Sequence, residues 1–201
     1  MKNYFMFLLL FLSFIYEVRT ESCEYQYDHT STLFKWKAFK YTERTGVEGT
    51  FDKITVLQKT PNKSLEEFAE NIKFKIDTTS VKSNNPERDE KIKTIFFGSM
   101  KDSREITGDF RNFKFKGETG SADLYIKMNS KESYIPIDFI IKNGTDLELR
   151  GNIDIFQWNS RKSLENLNKE CDVLHKGSDG KSKLWNDVDI YLSTVIIKKC
   201  K

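Results

Sequence analysis

The strongest constraint on the fold is a repeated two-residue alternation of apolar and polar side chains. In residues 32–41, Phe34, Trp36 and Ala38 fall on one face and alternate with two lysines and a phenylalanine on the other, which are Lys35, Lys37 and Phe39. Residues 122–128 repeat the pattern, with Leu124 and Ile126 on the apolar face. Because successive side chains of a β-strand point to opposite faces, this period predicts strands with one buried face. The chain is therefore expected to be mainly β.

Six further segments have strand patterns: residues 47–57, 73–77, 106–115, 134–141, 147–158 and 188–199. Within the first of them the apolar phase shifts, which predicts a bulge near Asp52 and Lys53. Asn143 and Gly144 separate two segments and are typical of a tight hairpin turn. About eight strands with short connections indicate a closed antiparallel barrel or a sandwich. A barrel of about eight strands can hold one small ligand in its interior.

Short helices are predicted between the strands. Ser64 and Glu67 form a capping box at the start of the first helix, while Asn85 and Pro86 mark the start of the second. A third is expected to begin at Ser163 as its cap. The apolar stripe of the second helix is Ile92, Ile95 and Phe96, and that of the third is Leu164, Leu167, Cys171 and Leu174.

Residues 1–20 have the pattern of a secretory signal peptide. Lys2 precedes an apolar run over 4–16, and Val18 and Thr20 occupy the positions that a signal peptidase inspects. The run is shorter than the roughly 20 apolar residues that span a bilayer. We therefore expect a periplasmic or secreted domain over 21–201. An uncleaved anchor and lipidation of Cys23 are the alternatives.

The cysteines are Cys23, Cys171 and Cys200. In an oxidising compartment two of them can form a disulfide bond. Cys23 and Cys200 lie beside the predicted first and last strands, which would be neighbours in a closed barrel. This pair is therefore favoured, and the alternative is three free thiols.

One segment carries the most distinctive resemblance to a known family. Residues 85–97 read NPERDEKIKTIFF, and this order resembles the Asn, Arg-Asp and Phe-Phe motif of the YceI-like family. Similar family elements occur elsewhere, and the resemblance covers about residues 25–199. Lys91 stands where the family often has His. The other matching elements are Val47 with Gly49 and Phe51, Asp123-Leu124 with Ile135-Pro136, and Trp185-Asn186-Asp187-Val188.

The resemblance implies a lipocalin-like antiparallel β-barrel with two or three short helices and a long apolar tunnel. It also implies a bound polyisoprenoid or long-chain lipid, a periplasmic location, dimers and transient membrane contact. Arg88 has two interpretations: it holds a ligand headgroup near the opening of the barrel, or it ties the second helix to the barrel wall together with Asp89. The structural interpretation is favoured.

The apolar faces of the predicted strands supply the candidate ligand contacts. These side chains either surround a guest or pack against one another as a solid core, and an error of one residue in strand phase would exchange inner and outer positions. The candidates are Phe34, Trp36, Ala38, Phe51, Phe74, Ile76, Phe110, Leu124, Ile126 and Phe139.

Catalytic and metal chemistry receive little support from the sequence. His29 and His175 are the two histidines, and Cys171 precedes His175 by one helical turn, but two ligands are too few for a zinc site. The sequence holds no nucleophile elbow, phosphate loop or dinucleotide motif, so no cofactor is expected. Basic and acidic residues are interleaved, and the net charge is +3, which argues against a nucleic-acid partner.

Of three functional hypotheses, a thiol-dependent or metal-dependent enzyme that uses Cys171 has the least support, and the other two are as follows. The first is an exported carrier or sequestering protein that binds an isoprenoid, fatty-acid-like or other amphiphilic ligand inside the barrel, without catalysis. The second is a structural or stress-response barrel with a filled interior that acts through protein–protein contacts. A hollow or a filled interior distinguishes them.

Overall fold

The computed structural model describes residues 22–58 and 62–201, so the predicted signal peptide lies outside the described residues. The strands in this part of the chain are β1 (Cys23–Tyr27), β2 (Leu33–Lys40), β3 (Thr45–Phe51), β4 (Ile54–Gln58), β5 (Ile72–Asp77), β6 (Val81–Lys82), β7 (Glu105–Lys116), β8 (Thr119–Met128), β9 (Lys131–Lys142), β10 (Asp146–Asp154) and β11 (Leu184–Cys200). The α-helices are α1 (Leu65–Glu70), α2 (Pro86–Lys91) and α3 (Arg161–Glu170). Among these residues, no helix is both long and apolar enough to cross a membrane.

The strands form one curled antiparallel sheet with the order β4-β5-β7-β8-β9-β10-β11-β2-β3-β6. Short hairpins join β7 to β8, β8 to β9 and β9 to β10. At the last of these turns Asn143 and Gly144 both adopt positive φ, as a tight hairpin requires. The predicted class, a mainly β antiparallel barrel with short helices, is confirmed.

Two predicted strands have different limits in the structure. Residues 47–57 do not form one bulged strand: β3 pairs with β2 and β6, whereas β4 pairs with β5 at the other end of the strand order. The strand is interrupted at Asp52 and Lys53. The Asp52 N–H donates to the Ser80 carbonyl, and the Lys53 N–H donates to the Ser80 hydroxyl. The segment predicted as 147–158 leaves the sheet at Asp154 and continues as a 3₁₀ turn over Ile155–Trp158.

The helix starts at Ser64 and Asn85 were predicted correctly. Ser64 accepts a hydrogen bond from the Glu67 backbone N–H, and Asn85 accepts one from the Arg88 N–H. The third helix was placed three residues late, because Ser160 and not Ser163 is its N-cap residue. Ser163 lies inside α3, where it is buried and its hydroxyl is hydrogen-bonded to Ser99. Cys171 ends this helix, and Leu174 lies in the following 3₁₀ turn, Asp172–His175.

The two ends of the described chain meet in the sheet. β1 pairs with the last five residues of β11, and Cys23 lies opposite Cys200. The structure joins these two cysteines in a disulfide bond, the pair that the sequence favoured, and leaves Cys171 free and buried. β1 also contacts the segment after β4, since the Tyr25 N–H donates to the Asn62 carbonyl and the Tyr27 N–H donates to the Gln58 side chain. β1 thereby connects β11 to β4, which stands first in the strand order.

Candidate ligand-binding cavity

A cavity of about 210 Å³ lies inside the curled sheet, and every residue that lines it is apolar. Eight of the ten candidates from strand phase lie on its wall: Phe34, Trp36, Ala38, Phe51, Phe74, Ile76, Leu124 and Ile126. Water in such a space would lack hydrogen-bond partners, and apolar cavities of about 150 Å³ stay dry and take up small apolar guests. The cavity is therefore suited to an apolar chain.

Three tryptophans contribute to the cavity wall without exposing a polar atom to it. The indole N–H of Trp36 donates to the Thr50 carbonyl at 3.2 Å. Those of Trp158 and Trp185 donate to the carbonyls of Ile126 and Tyr41, each at 2.8 Å. Because a buried indole N–H needs a partner, these bonds leave only hydrocarbon surface for a guest.

Phe110 and Phe139, the other two candidates, do not line the cavity. They belong to an aromatic plug, defined here as Phe110, Phe113, Phe115 and Phe139, which fills the interior farther along the same strands. The register of β7 against β8 shifts between Arg111 and Lys114, so rings on both sides of the shift turn inward. Strand phase predicted the inner face correctly for Phe139, which is buried, but not that this end is filled.

The cavity wall includes residues that strand phase did not identify. Phe39 was placed on the outer face with the lysines, yet it is buried and contributes to the wall. It lies opposite the part of β11 where the register shifts, between Leu184 and Val188, and strict alternation fails at such an irregularity.

The helices close one side of the cavity. α2 continues as a π-helical turn over Ile92–Phe96, which widens the helix and changes which side chains share a face. Ile92, Phe96 and Phe97 consequently line the cavity. Ile95, which was predicted on the apolar stripe, does not line it. α3 contributes Leu164 and Leu167, which were on the predicted stripe. The Asn85 cap therefore positions the helical segment that closes this side of the cavity.

Two glycines let large rings lie flat against the sheet. A Cβ on Gly49 would stand 2.2 Å from the Trp36 ring, and one on Gly108 would stand 2.4 Å from the Phe74 ring. Real Cβ atoms do not approach so closely, so any other residue would push the ring away. Gly49 belongs to the Val-x-Gly-x-Phe element, which thus has a physical role: it sets the orientation of Trp36 on the cavity wall.

A second cavity, of about 230 Å³, adjoins the first and is called the vestibule here. The two share wall residues that include Trp36, Ala38 and Leu167. Unlike the apolar cavity, the vestibule also has charged or titratable lining residues: Lys40, Glu87, Arg88, Lys91 and His175. The first cavity is therefore wholly apolar, whereas the vestibule combines apolar and charged side chains.

Arg88 and Asp89 hold the start of α2 against the segment of β6. The Arg88 Nε donates to the Ser83 hydroxyl and one Nη donates to the Ser83 carbonyl, both at 2.7 Å. Buried Asp89 accepts hydrogen bonds from the Ser83 N–H, at 2.9 Å, and from its hydroxyl. These bonds match the structural interpretation of the pair, while the position of Arg88 on the vestibule also gives it access to a ligand.

His175 and Cys171 both line the vestibule. His175 Nδ1 lies 3.0 Å from the Asn168 side-chain oxygen, to which it donates. Burial, together with the positive charges of Lys40 and Lys91, lowers the pKa of His175 to about 4, so the ring is neutral at pH 7. Within residues 22–58 and 62–201, no group of three or more His, Cys, Asp or Glu side chains is arranged to hold a metal ion.

A family model, the YceI-like domain, matches residues 24–196, which is most of the sequence. The chain belongs to the YceI-like family. The resemblance found in the Asn85–Phe97 motif is therefore confirmed over nearly the whole length of the described domain. No curated protein matches this YceI-like chain significantly.

Solved structures share the fold of this YceI-like chain. A polyisoprenoid binding domain from Saccharophagus degradans, implicated in plant cell wall breakdown, superposes with a TM-score of 0.60 at 11% identity, covering 88% of this chain and 98% of that one. BcnA from Burkholderia cenocepacia gives 0.56 at 14% identity, with 82% and 96% covered. The YceI protein of Campylobacter jejuni gives 0.52 at 19% identity, with 81% and 89% covered. At such identities the likeness shows the fold.

Proposed function

We propose that this YceI-like protein is an exported carrier or sequestering protein for a long-chain amphiphile, such as an isoprenoid or a fatty-acid-like lipid. The observation that carries the proposal is the wholly apolar wall of the interior cavity. The competing hypothesis, a barrel that acts only through protein contacts, requires a filled interior. The aromatic plug meets that requirement at one end of the interior, whereas the helix-covered end is hollow.

The energetics of tail burial favour this function. Transfer of each methylene from water to an apolar interior contributes about 0.8 kcal/mol. The indole N–H groups on the cavity wall are already hydrogen-bonded, so a bound tail leaves none of them without a partner. An alkyl or prenyl chain therefore gains free energy with each carbon that the cavity accommodates, which offsets the cost of immobilising the chain.

The structurally similar domain from Saccharophagus degradans is a polyisoprenoid binding domain. Since the present chain shares its fold and has an apolar cavity, an isoprenoid is one of the ligand classes that we propose. A role in binding, without catalysis, agrees with this family. Dimer formation and transient membrane contact stay predictions of the family resemblance.

Export is supported by the leader pattern of residues 1–20 and by the Cys23–Cys200 pair. Disulfide bonds persist mainly in oxidising compartments such as the periplasm and the extracellular space. Expression of the full chain, followed by N-terminal sequencing of the protein recovered outside the cytoplasm, tests the export. Recovery of the protein only in the cytoplasm, with the leader retained, would contradict it.

Ala38→Phe tests the carrier function directly. Ala38 lies on the shared wall of both cavities, so a phenyl ring there occupies the space that a tail would need. We expect the purified wild-type protein to yield an extractable lipid in native mass spectrometry and to bind a hydrophobic fluorescent probe. The variant should lose at least tenfold in probe affinity, which corresponds to about 1.4 kcal/mol.

Lys35→Phe is the matched control, because Lys35 is exposed on the opposite face of the same strand. It should bind the probe as the wild type does. Thermal unfolding checks that both variants are folded. Equal probe affinity of Ala38→Phe and wild type, or a wild type that takes up no lipid or probe, would overturn the carrier function.

A further inference from the structure

The vestibule has an excess of positive charge at the point where it joins the apolar cavity. Lys40, Arg88 and Lys91 line it, together with a single carboxylate, that of Glu87. Lys40 lies at the end of β2, while Arg88 and Lys91 lie on α2. Two separate elements thus bring three cations to one compartment that shares wall residues with the apolar cavity.

No carboxylate in the described part of the chain pairs with these cations. Within the described residues, none of the three forms an ion pair with a carboxylate at 4.0 Å or less, although Lys37, Lys82 and other lysines do. The Lys40 amine donates weakly to the Leu174 carbonyl at 3.4 Å. All three side chains are half-buried, where charges are screened less by salt and water than on an open surface.

Burial and the positive charge of the vestibule lower the pKa of a neighbouring side chain, His175. After burial, the largest causes that lower the pKa of His175 are the positive charges of Lys40 and Lys91, and Asp172 opposes them. The ring therefore stays neutral and adds no repulsion of its own against the lysines. This effect agrees with the geometry: three cationic side chains and one carboxylate, that of Glu87, line the vestibule.

We propose that the vestibule binds the anionic headgroup, a carboxylate or a phosphate, of an amphiphile whose tail occupies the apolar cavity. This assignment rests on the proposed function and specifies its ligand class. Lys40 and Lys91 supply charge, and Arg88 has one amino group that is not used by Ser83 and can donate to an oxyanion. Charge-assisted hydrogen bonds of this kind are roughly twice as strong as neutral ones.

The wall shared by the two cavities distinguishes an amphiphile from a free anion. Trp36 and Ala38 face both compartments, so a headgroup among the lysines leads directly to a tail in the cavity. A free phosphate or acetate would gain the charge contact alone. Only a molecule with both parts uses the complete site.

The test compares a long-chain fatty acid with the alcohol of the same length, each displacing a fluorescent probe from the folded wild-type protein at pH 7.5 and low salt. We expect the acid to bind about tenfold more tightly than the alcohol, within the range for a hydrogen bond to a charged group. The double variant Lys40→Gln/Lys91→Gln should lose this preference and keep its affinity for the alcohol. Sodium phosphate and acetate serve as anions without a tail.

Lys114→Gln/Lys116→Gln is the matched control, since it removes the same charge from exposed lysines on β7. It should retain the preference for the acid. Equal binding of acid and alcohol by the wild type would overturn the headgroup assignment and leave the carrier function standing, whereas binding of neither would overturn the carrier function itself. Acetate or phosphate that competes as strongly as the fatty acid would show a free-anion site and overturn the assignment too.

Discussion

His175 shows how position changes the chemistry of one side chain. Its ordinary pKa of 6.5 falls to about 4 in the folded protein, first because of burial and then because of Lys40 and Lys91. The unfolded chain therefore binds more protons than the folded chain between these two values. Since the folded state is disfavoured by protonation, its stability falls as the pH drops from 7 towards 4.

We expect wild-type protein to lose about 1 kcal/mol more stability than His175→Asn between pH 7 and pH 4.5, after allowance for solvent screening of a partly exposed ring. Urea unfolding at the two pH values measures this difference. His29→Asn, at an exposed position, is the control and should behave as the wild type does. An identical pH dependence for wild type and His175→Asn would contradict the lowered pKa.

Single positions also show what a sequence pattern can and cannot predict. The two-residue period placed Trp36, Ala38 and Leu124 correctly on the inner face, because it reports which side of a strand a residue occupies. It placed Phe39 wrongly, since the register shift that turns this ring inward depends on β11, far away in sequence. The inward position of Phe97 likewise depends on a π-helical turn, which no local sequence motif predicted.

The pairing of β1 with β11 is the element that joins the beginning and the end of the described chain. Five residues of each strand pair, and the Cys23–Cys200 bond closes a separation of 177 residues. In the chain-entropy model, a link across so long a loop stabilises the fold by about 5 kcal/mol, because it restricts the unfolded chain.

Cys23→Ser/Cys200→Ser is therefore expected to lower the free energy of unfolding by several kcal/mol, up to about 5 in that model. Chemical denaturation of the oxidised wild type and of the variant measures the loss. A reducing agent should bring the wild type to the level of the variant and leave the variant unchanged. Equal stability of the oxidised wild type and the variant would show that β1 and β11 are held by strand pairing alone.

Element boundaries were predicted best where a local motif determines them. The caps Ser64 and Asn85 place α1 and α2 correctly, because a cap bonds within its own turn. The break at Asp52 was mistaken for a bulge, since both give the same phase shift in the sequence. Only the pairing partners of β3 and β4, at distant positions in the sheet, separate the two cases.

At the scale of the whole molecule, the interior consists of one filled region and two adjoining cavities. The aromatic plug fills one end, the apolar cavity follows it, and the charged vestibule adjoins the cavity. Strand phase could predict that aromatic side chains point inward, but not that they touch one another at one end and leave space at the other. That outcome depends on the curvature of the sheet and on the helices that cover it.

This arrangement predicts a maximum tail length. Affinity in a series of fatty acids should rise about fourfold per methylene, following roughly 0.8 kcal/mol for each, until the tail reaches the plug, and then level off. Phe74 lines the cavity and its ring centre lies 6.0 Å from that of Phe110, so Phe110 forms the boundary. Phe110→Ala should therefore move the plateau to longer tails.

Phe115→Ala is the matched control for this change. Phe115 belongs to the same plug but contacts Phe113 and Phe139, away from the cavity wall, so its removal should leave the plateau where it is in the wild type. Probe displacement with acids of increasing length, on variants shown to be folded by circular dichroism, gives the plateau for each protein. If Phe110→Ala left the plateau unchanged, or if wild-type affinity rose without limit, the tail would extend in another direction and the plug would not end the cavity.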